Sequence, residues 1–150
     1  MKKKLLLICL PFVIAACGST KQVSSSKAAG PYVKQELYDQ NTFRINSFSQ
    51  DKTYGYEEKN PIKVGGAKQQ EGPMNERRFL NALTGPNGEE ISYYRIGSCC
   101  HFETPNGLMG GGLLDMYSVT YEGLAEPIKL YINMYDSDTL HVPTGFKLRY

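Results

Sequence analysis

The stretch Ile128-Lys129-Leu130-Tyr131-Ile132-Asn133-Met134-Tyr135 alternates along its whole length. Successive side chains of an extended chain point to opposite faces. Ile128, Leu130, Ile132 and Met134 therefore share one face, and Lys129, Tyr131, Asn133 and Tyr135 share the other. An aliphatic face backed by a polar and aromatic one marks a strand covered on one side. Working back, residues 114–121 repeat the pattern, with Tyr117, Val119 and Tyr121 opposite Ser118 and Thr120. Glu122-Gly123 and Pro127 lie between the two runs and suit a hairpin connection. Residues 91–96 alternate less cleanly, with Ile91, Tyr93 and Arg95 on one side and Ser92, Tyr94 and Ile96 on the other.

A helix is predicted over residues 75–83. Asn75 is placed to cap the free N–H groups, Glu76 suits the positive end of the helix dipole, and Phe79, Leu80 and Leu83 form an apolar stripe. Gly85-Pro86 stops the helix and Pro86-Asn87-Gly88 turns the chain. Together these elements predict an α+β fold, a small antiparallel sheet with one main helix packed on its aliphatic face. Upstream, Ile62-Lys63-Val64 and Tyr54-Gly55-Tyr56 read as short extended pieces. Residues 31–52 fit either a helical face through Val33, Leu37 and Tyr38 or a strand through Phe43, Ile45 and Phe48.

The other end of the chain carries an address. Lys2, Lys3 and Lys4 precede an apolar run from Leu5 to Ala16. These are the charged and apolar parts of a secretory signal, and the run falls short of the about 20 residues that span a bilayer. Pro11 also counts against a permanent membrane helix. The run ends Ile14-Ala15-Ala16-Cys17, which resembles a lipobox. The expectation is that residues 1–16 are removed and that Cys17 becomes a lipid-bearing N-terminus. With about 0.8 kcal/mol per buried CH₂, two or more acyl chains anchor stably. Residues 17–30 then form a small, polar, flexible tether, and residues 31–150 a single domain. Gly18, where sorting signals place aspartate, favours an outer membrane, with the domain facing the periplasm.

Three of the seventeen Lys and Arg fall in the leader, as do none of the fifteen acids. The exported part thus has fourteen cations against fifteen anions and no basic block, which gives no footprint for nucleic acid. The 134 residues left are enough for one core. No cofactor is expected beyond the covalent lipid on Cys17.

Ser98-Cys99-Cys100-His101 is the most distinctive local run. A disulfide between neighbours is awkward, since bridged cysteines usually have Cα atoms about 4.4–6.8 Å apart and adjacent residues sit at about 3.8 Å. A metal site could add His101 and His141, but the paired C-x-x-C spacing of zinc sites is missing. A thiol nucleophile would need His101 or His141 as base and Asp136 or Asp138 to orient it. The simplest alternative makes both cysteines small apolar residues at a strand end, pointing to opposite faces. Arg77 and Arg78 form a possible anion contact, or sit in structural ion pairs. Asn106-Gly107-Leu108-Met109-Gly110-Gly111-Gly112 lacks the Lys-Ser/Thr of a phosphate loop and reads as a turn.

From Tyr54 onward the chain resembles a family of small uncharacterised bacterial lipoproteins. The carrying residues are 72–83 and 85–88, Ser98-Cys99-Cys100, 102–107, 112–115, 121–124 and 130–136, about three-fifths of the chain being covered. Members often bear the label 2-dehydro-3-deoxyphosphooctonate aldolase. Such an aldolase is a (β/α)₈ barrel of about 250 residues acting on cytoplasmic substrates. An exported chain with one credible helix does not fit that label. The function expected is therefore a membrane-anchored domain, reaching the membrane through its lipid and binding an envelope partner. The alternative is a small envelope enzyme or metal-binding protein using Cys99, Cys100 and His101.

Overall fold

The computed structural model describes residues 32–150. The predicted leader, the lipidation site at Cys17 and the tether lie outside the described residues. The alternating runs form the sheet. Strand β7 (Ile128–Asn133) pairs antiparallel with β6 (Gly111–Tyr121), setting Leu130 opposite Tyr117 and Ile132 opposite Asp115. On its far side β6 pairs antiparallel with β5 (Ile91–Glu103), which runs seven residues beyond the segment that alternates in sequence.

The outer edge of β7 is covered by a short strand, β3 (Ile62–Lys63), and this pairing is parallel. The sheet is therefore mixed and four-stranded, in the order β3-β7-β6-β5, and the expectation of a purely antiparallel sheet is corrected. Strand direction is the one property that hydropathy in a three-residue apolar run cannot carry. Here Val64 donates its N–H to Asn133 O, and the next residues, Gly65 and Gly66, turn away with φ of 66° and 103°. That left-handed backbone favours glycine.

The turn delivers the chain into α1 (Gly72–Leu80). The helix starts three residues before the predicted position and ends three earlier, so two expectations change. Asn75 is not the cap but a buried residue within the helix, its amide donating to Gly65 O at 3.1 Å. Leu83 lies in a separate strand, β4 (Leu83–Thr84), paired with β8 (Lys147–Leu148). Pro73 near the helix start, where its missing N–H costs nothing, was the better signal.

Phe79 and Leu80 lie fully buried against Tyr117, Val119, Leu130 and Ile132, so the fold is α+β with its core between helix and sheet. In residues 32–52 a hairpin forms, β1 (Leu37–Asp39) with β2 (Thr42–Phe43), which buries Phe43, and Leu37 and Tyr38 lie in its first strand rather than on the expected helical face. Tyr150 locks it at the other end of the chain, its hydroxyl accepting from Ile45 N and donating to Phe43 O. Tyr54-Gly55-Tyr56 forms turns rather than an extended piece, because Gly55 adopts a φ of 81° against Ile62. Among the described residues no helix is long and apolar enough to cross a membrane.

Truncating Phe79 to alanine leaves a cavity at the centre of this core. Equilibrium urea unfolding should show a loss of about 3–5 kcal/mol for Phe79→Ala. Thr120→Ala, on the exposed part of β6, should stay within about 0.5 kcal/mol of the parent.

Candidate functional site

A cluster of charged side chains sits where α1 crosses β6 and β5. Glu76, one helical turn before Leu80, is 0% exposed. It accepts a 2.8 Å hydrogen bond on Oε2 from the Tyr117 hydroxyl. Its other oxygen, Oε1, is buried without a hydrogen-bond partner, and the Asp115 carboxylate lies beside it. Burial, and then the neighbouring Asp115 charge, push the Glu76 carboxyl from 4.5 up to about 8. A charge this close adds to the cost of ionising a buried acid, so Glu76 keeps its proton at neutral pH. A proton on Oε1 removes the cost of an uncompensated charge at this buried oxygen.

Arg95 grips the Asp115 carboxylate with two nitrogens, Nε at 2.7 Å and Nη2 at 2.8 Å, and the Ser98 hydroxyl donates to it at 2.8 Å. Such a two-pronged guanidinium contact is the strong form of a charged hydrogen bond. Arg95 Nη2 also donates to Ser98 Oγ. A register shift between Arg95 and Gly97 brings Arg95 and Ser98 onto the same carboxylate across the bulge. Sequence reading placed Glu76 at the helix dipole and gave no role to Asp115, Arg95, Ser98 or the Tyr117 hydroxyl. The available signal was register: Asp115 has the parity of Tyr117 and Val119, so it had to lie on the core face and needed a partner.

Above this cluster is a depression of about 470 Å³ lined by Arg77, Tyr93, Tyr94, Arg95 and Tyr117. Arg77 and Arg78 part company here. Arg78 is held structurally, donating to Gln40 O at 3.1 Å and Asn75 Oδ1 at 2.9 Å and pairing with Glu71 at 3.5 Å. Only Arg77 joins the depression, beside Arg95 rather than Arg78.

Further along β5, the Cys99 and Cys100 sulfurs are bonded to one another, with Cα atoms 3.7 Å apart. The expectation that they point to opposite faces fails because Cys100 leaves the extended conformation, at a φ of 57°, in a second bulge between Cys99 and His101. Left-handed backbone at a non-glycine residue costs roughly 1–2 kcal/mol. Cys100, His101 and Asp136 line one depression, of about 490 Å³, while His141 and Asp138 line another. Asp136 is taken up by Thr104, Asn106 and Asn133, at 2.6, 2.9 and 3.0 Å. His141 bonds to Ser47 Oγ at 2.7 Å. The two histidines are thus divided between separate places. Among the described residues, no group of three or more His, Cys, Asp and Glu side chains could hold a metal ion. Comparison with family models, with curated proteins and with solved structures gives no match to this chain.

The raised Glu76 carboxyl makes stability depend on pH in a defined direction. Below about 4.5 the group is protonated whether folded or unfolded and contributes nothing. Between 4.5 and about 8 the unfolded chain releases a proton that the folded chain retains, so stability falls as pH rises through this window. The loss is on the order of a few kcal/mol. In Glu76→Gln the side chain stays neutral at every pH. Denaturant midpoints should fall from pH 5 to pH 8 in the parent and stay nearly level in the variant; equal slopes would refute the assignment.

Proposed function

We propose that this chain is a lipoprotein of the bacterial envelope, anchored through Cys17, whose domain binds an extended segment of an envelope partner along the outer edge of β5. The anchor rests on the lipobox and the charged, apolar run before it. The observation that carries the binding surface is the edge itself. Strand β5 is thirteen residues long and lies last in the sheet, and among the described residues no other strand pairs with its outer side. An unpaired edge offers backbone donors and acceptors to an incoming strand. Its exposed side chains include Tyr94 (66%) and Ile96 (48%), and Arg77 and Arg95 flank it at the depression. The two bulges interrupt the edge at Arg95–Gly97 and at Cys99–His101, which limits a partner to a short register and opposes pairing of copies with one another.

A photo-activated cross-linker at position 94, expressed in cells, should give an adduct of one discrete mass. Ile96→Lys should abolish that adduct while leaving the thermal midpoint unchanged. A smear of adducts, or an adduct indifferent to Ile96→Lys, would count against the edge.

A second reading is favoured by the Cys99–Cys100 bond, which sits in the lining of the His101 depression. In it, reduction frees two adjacent thiols that, with His101, form a redox or metal site. Thiol titration should then find two additional groups after mild reduction, with His101→Ala altering metal uptake by the reduced protein. Resistance of the bond to mild reductant in the folded state would remove this reading.

A further inference from the structure

The β5–β6 hairpin ends in a loop whose tip is Leu108 and Met109, 86% and 93% exposed. These are the two most exposed large apolar side chains among the described residues. Neither packing nor backbone asks for them. Met109 takes a φ of 54°, a conformation that glycine or asparagine adopts more easily, so a methionine there is kept against a local cost. The loop beneath is firmly built. Thr104 is buried and donates to Asp136 at 2.6 Å, Asn106 donates to the same oxygen at 2.9 Å, and Thr104 N and Gly110 O close the loop at 3.0 Å. Gly107 runs so close to Gly111 that any Cβ would strike its carbonyl oxygen. A loop held this way presents its tip in one orientation.

The same corner of the molecule receives the N-terminal part of the described chain. Val33 N donates to Ser137 Oγ at 2.8 Å and Gln35 Nε2 to Asp138 O at 2.9 Å, so residues 33–35 lie along the segment whose Asp136 holds the loop. From Cys17 to Tyr32 is fifteen residues. A chain of that length reaches at most about 50 Å. A lipid on Cys17 therefore joins the domain to its bilayer through this corner.

We infer that the Leu108–Met109 tip docks into the surface of the membrane that holds the lipid anchor. The inference rests on the anchoring reading above. Burial of two such side chains from a free domain strengthens binding by about a hundredfold or more, too little to hold a protein alone. On a tether, where the local membrane concentration is high, it is enough to fix orientation. The docked corner would leave the β6–β7 turn pointing away, since β6 is eleven residues long and spans roughly 35 Å.

The chain has no tryptophan, so one introduced indole reports alone. Full-length lipidated protein in nanodiscs should be prepared as Leu108→Trp and, in the far turn, as Ala125→Trp. Brominated phospholipid should quench the indole at position 108 at least threefold more than that at 125, and Met109→Ser in the Leu108→Trp background should reduce the quenching. Mass spectrometry of the N-terminal fragment reports the anchor independently. Equal, weak quenching at both positions with Cys17 acylated would overturn the docking and spare the anchor. An unacylated Cys17 would overturn both. Emission that shifts only with added envelope protein, and not with lipid, would assign the tip to a protein partner and also overturn the proposal.

Discussion

The carboxyl of Glu76 reaches from the helix into the apolar face of the sheet, and its surroundings are arranged around that intrusion. An acid at 0% exposure is tolerated because it keeps its proton, and it keeps its proton because burial, and then the Asp115 carboxylate beside it, disfavour the charged form. Asp115 in turn receives three hydrogen bonds from Arg95 and Ser98, which flank the bulge in β5. The Tyr117 hydroxyl completes the chain by bonding Glu76 from the sheet side. Burial, then the Glu76 carboxyl, raise the Tyr117 phenol above its usual range, so it remains a donor. Removing Arg95 would leave the buried Asp115 carboxylate with Ser98 as its one remaining side-chain donor. The network ties α1 to β6 through the Glu76–Tyr117 hydrogen bond, in addition to the aliphatic contacts between them.

The same arrangement shapes what the surface offers. The bulge that brings Arg95 and Ser98 to Asp115 also breaks the outer edge of β5, and the second bulge carries the bonded cysteines. Between and beside them Tyr94 and Ile96 face solvent, with Arg77 across the depression. The internal electrostatics and the proposed docking edge are thus parts of one strand. At the end of that strand, Asp136 gathers Thr104, Asn106 and Asn133, and its neighbour Ser137 receives the incoming chain at Val33. The carboxyl of Asp136 is held below its usual range by these donors, whose combined effect outweighs its partial burial.

Some of this was legible from residue order alone. The alternation of residues 114–121 and 128–135 placed two central strands and their buried faces, and Pro86-Asn87-Gly88 placed a turn. Gly85-Pro86 does not stop the helix as expected, because α1 already ends at Leu80 and β4 intervenes. Residues whose role comes from distant partners were not legible. A glutamate in a first helical turn looks like a dipole partner, and nothing local to Glu76 announces Tyr117, forty-one residues away. The parallel entry of β3 depends on a crossover through Gly65 and Gly66. The cysteine pair misled for a related reason: neighbours on a regular strand diverge, and only the left-handed turn at Cys100 brings their sulfurs together. A backbone excursion at one non-glycine residue leaves no mark in composition or periodicity.

The central claim is that the buried Glu76 carboxyl keeps its proton at neutral pH. Isotope-edited infrared spectroscopy with ¹³C-labelled glutamate reads it directly. One glutamate should show a protonated carboxyl stretch at pH 6.5 that is absent in Glu76→Gln and disappears with a midpoint near 8. A spectrum in which every glutamate is ionised at pH 6.5 in the folded protein would contradict the account.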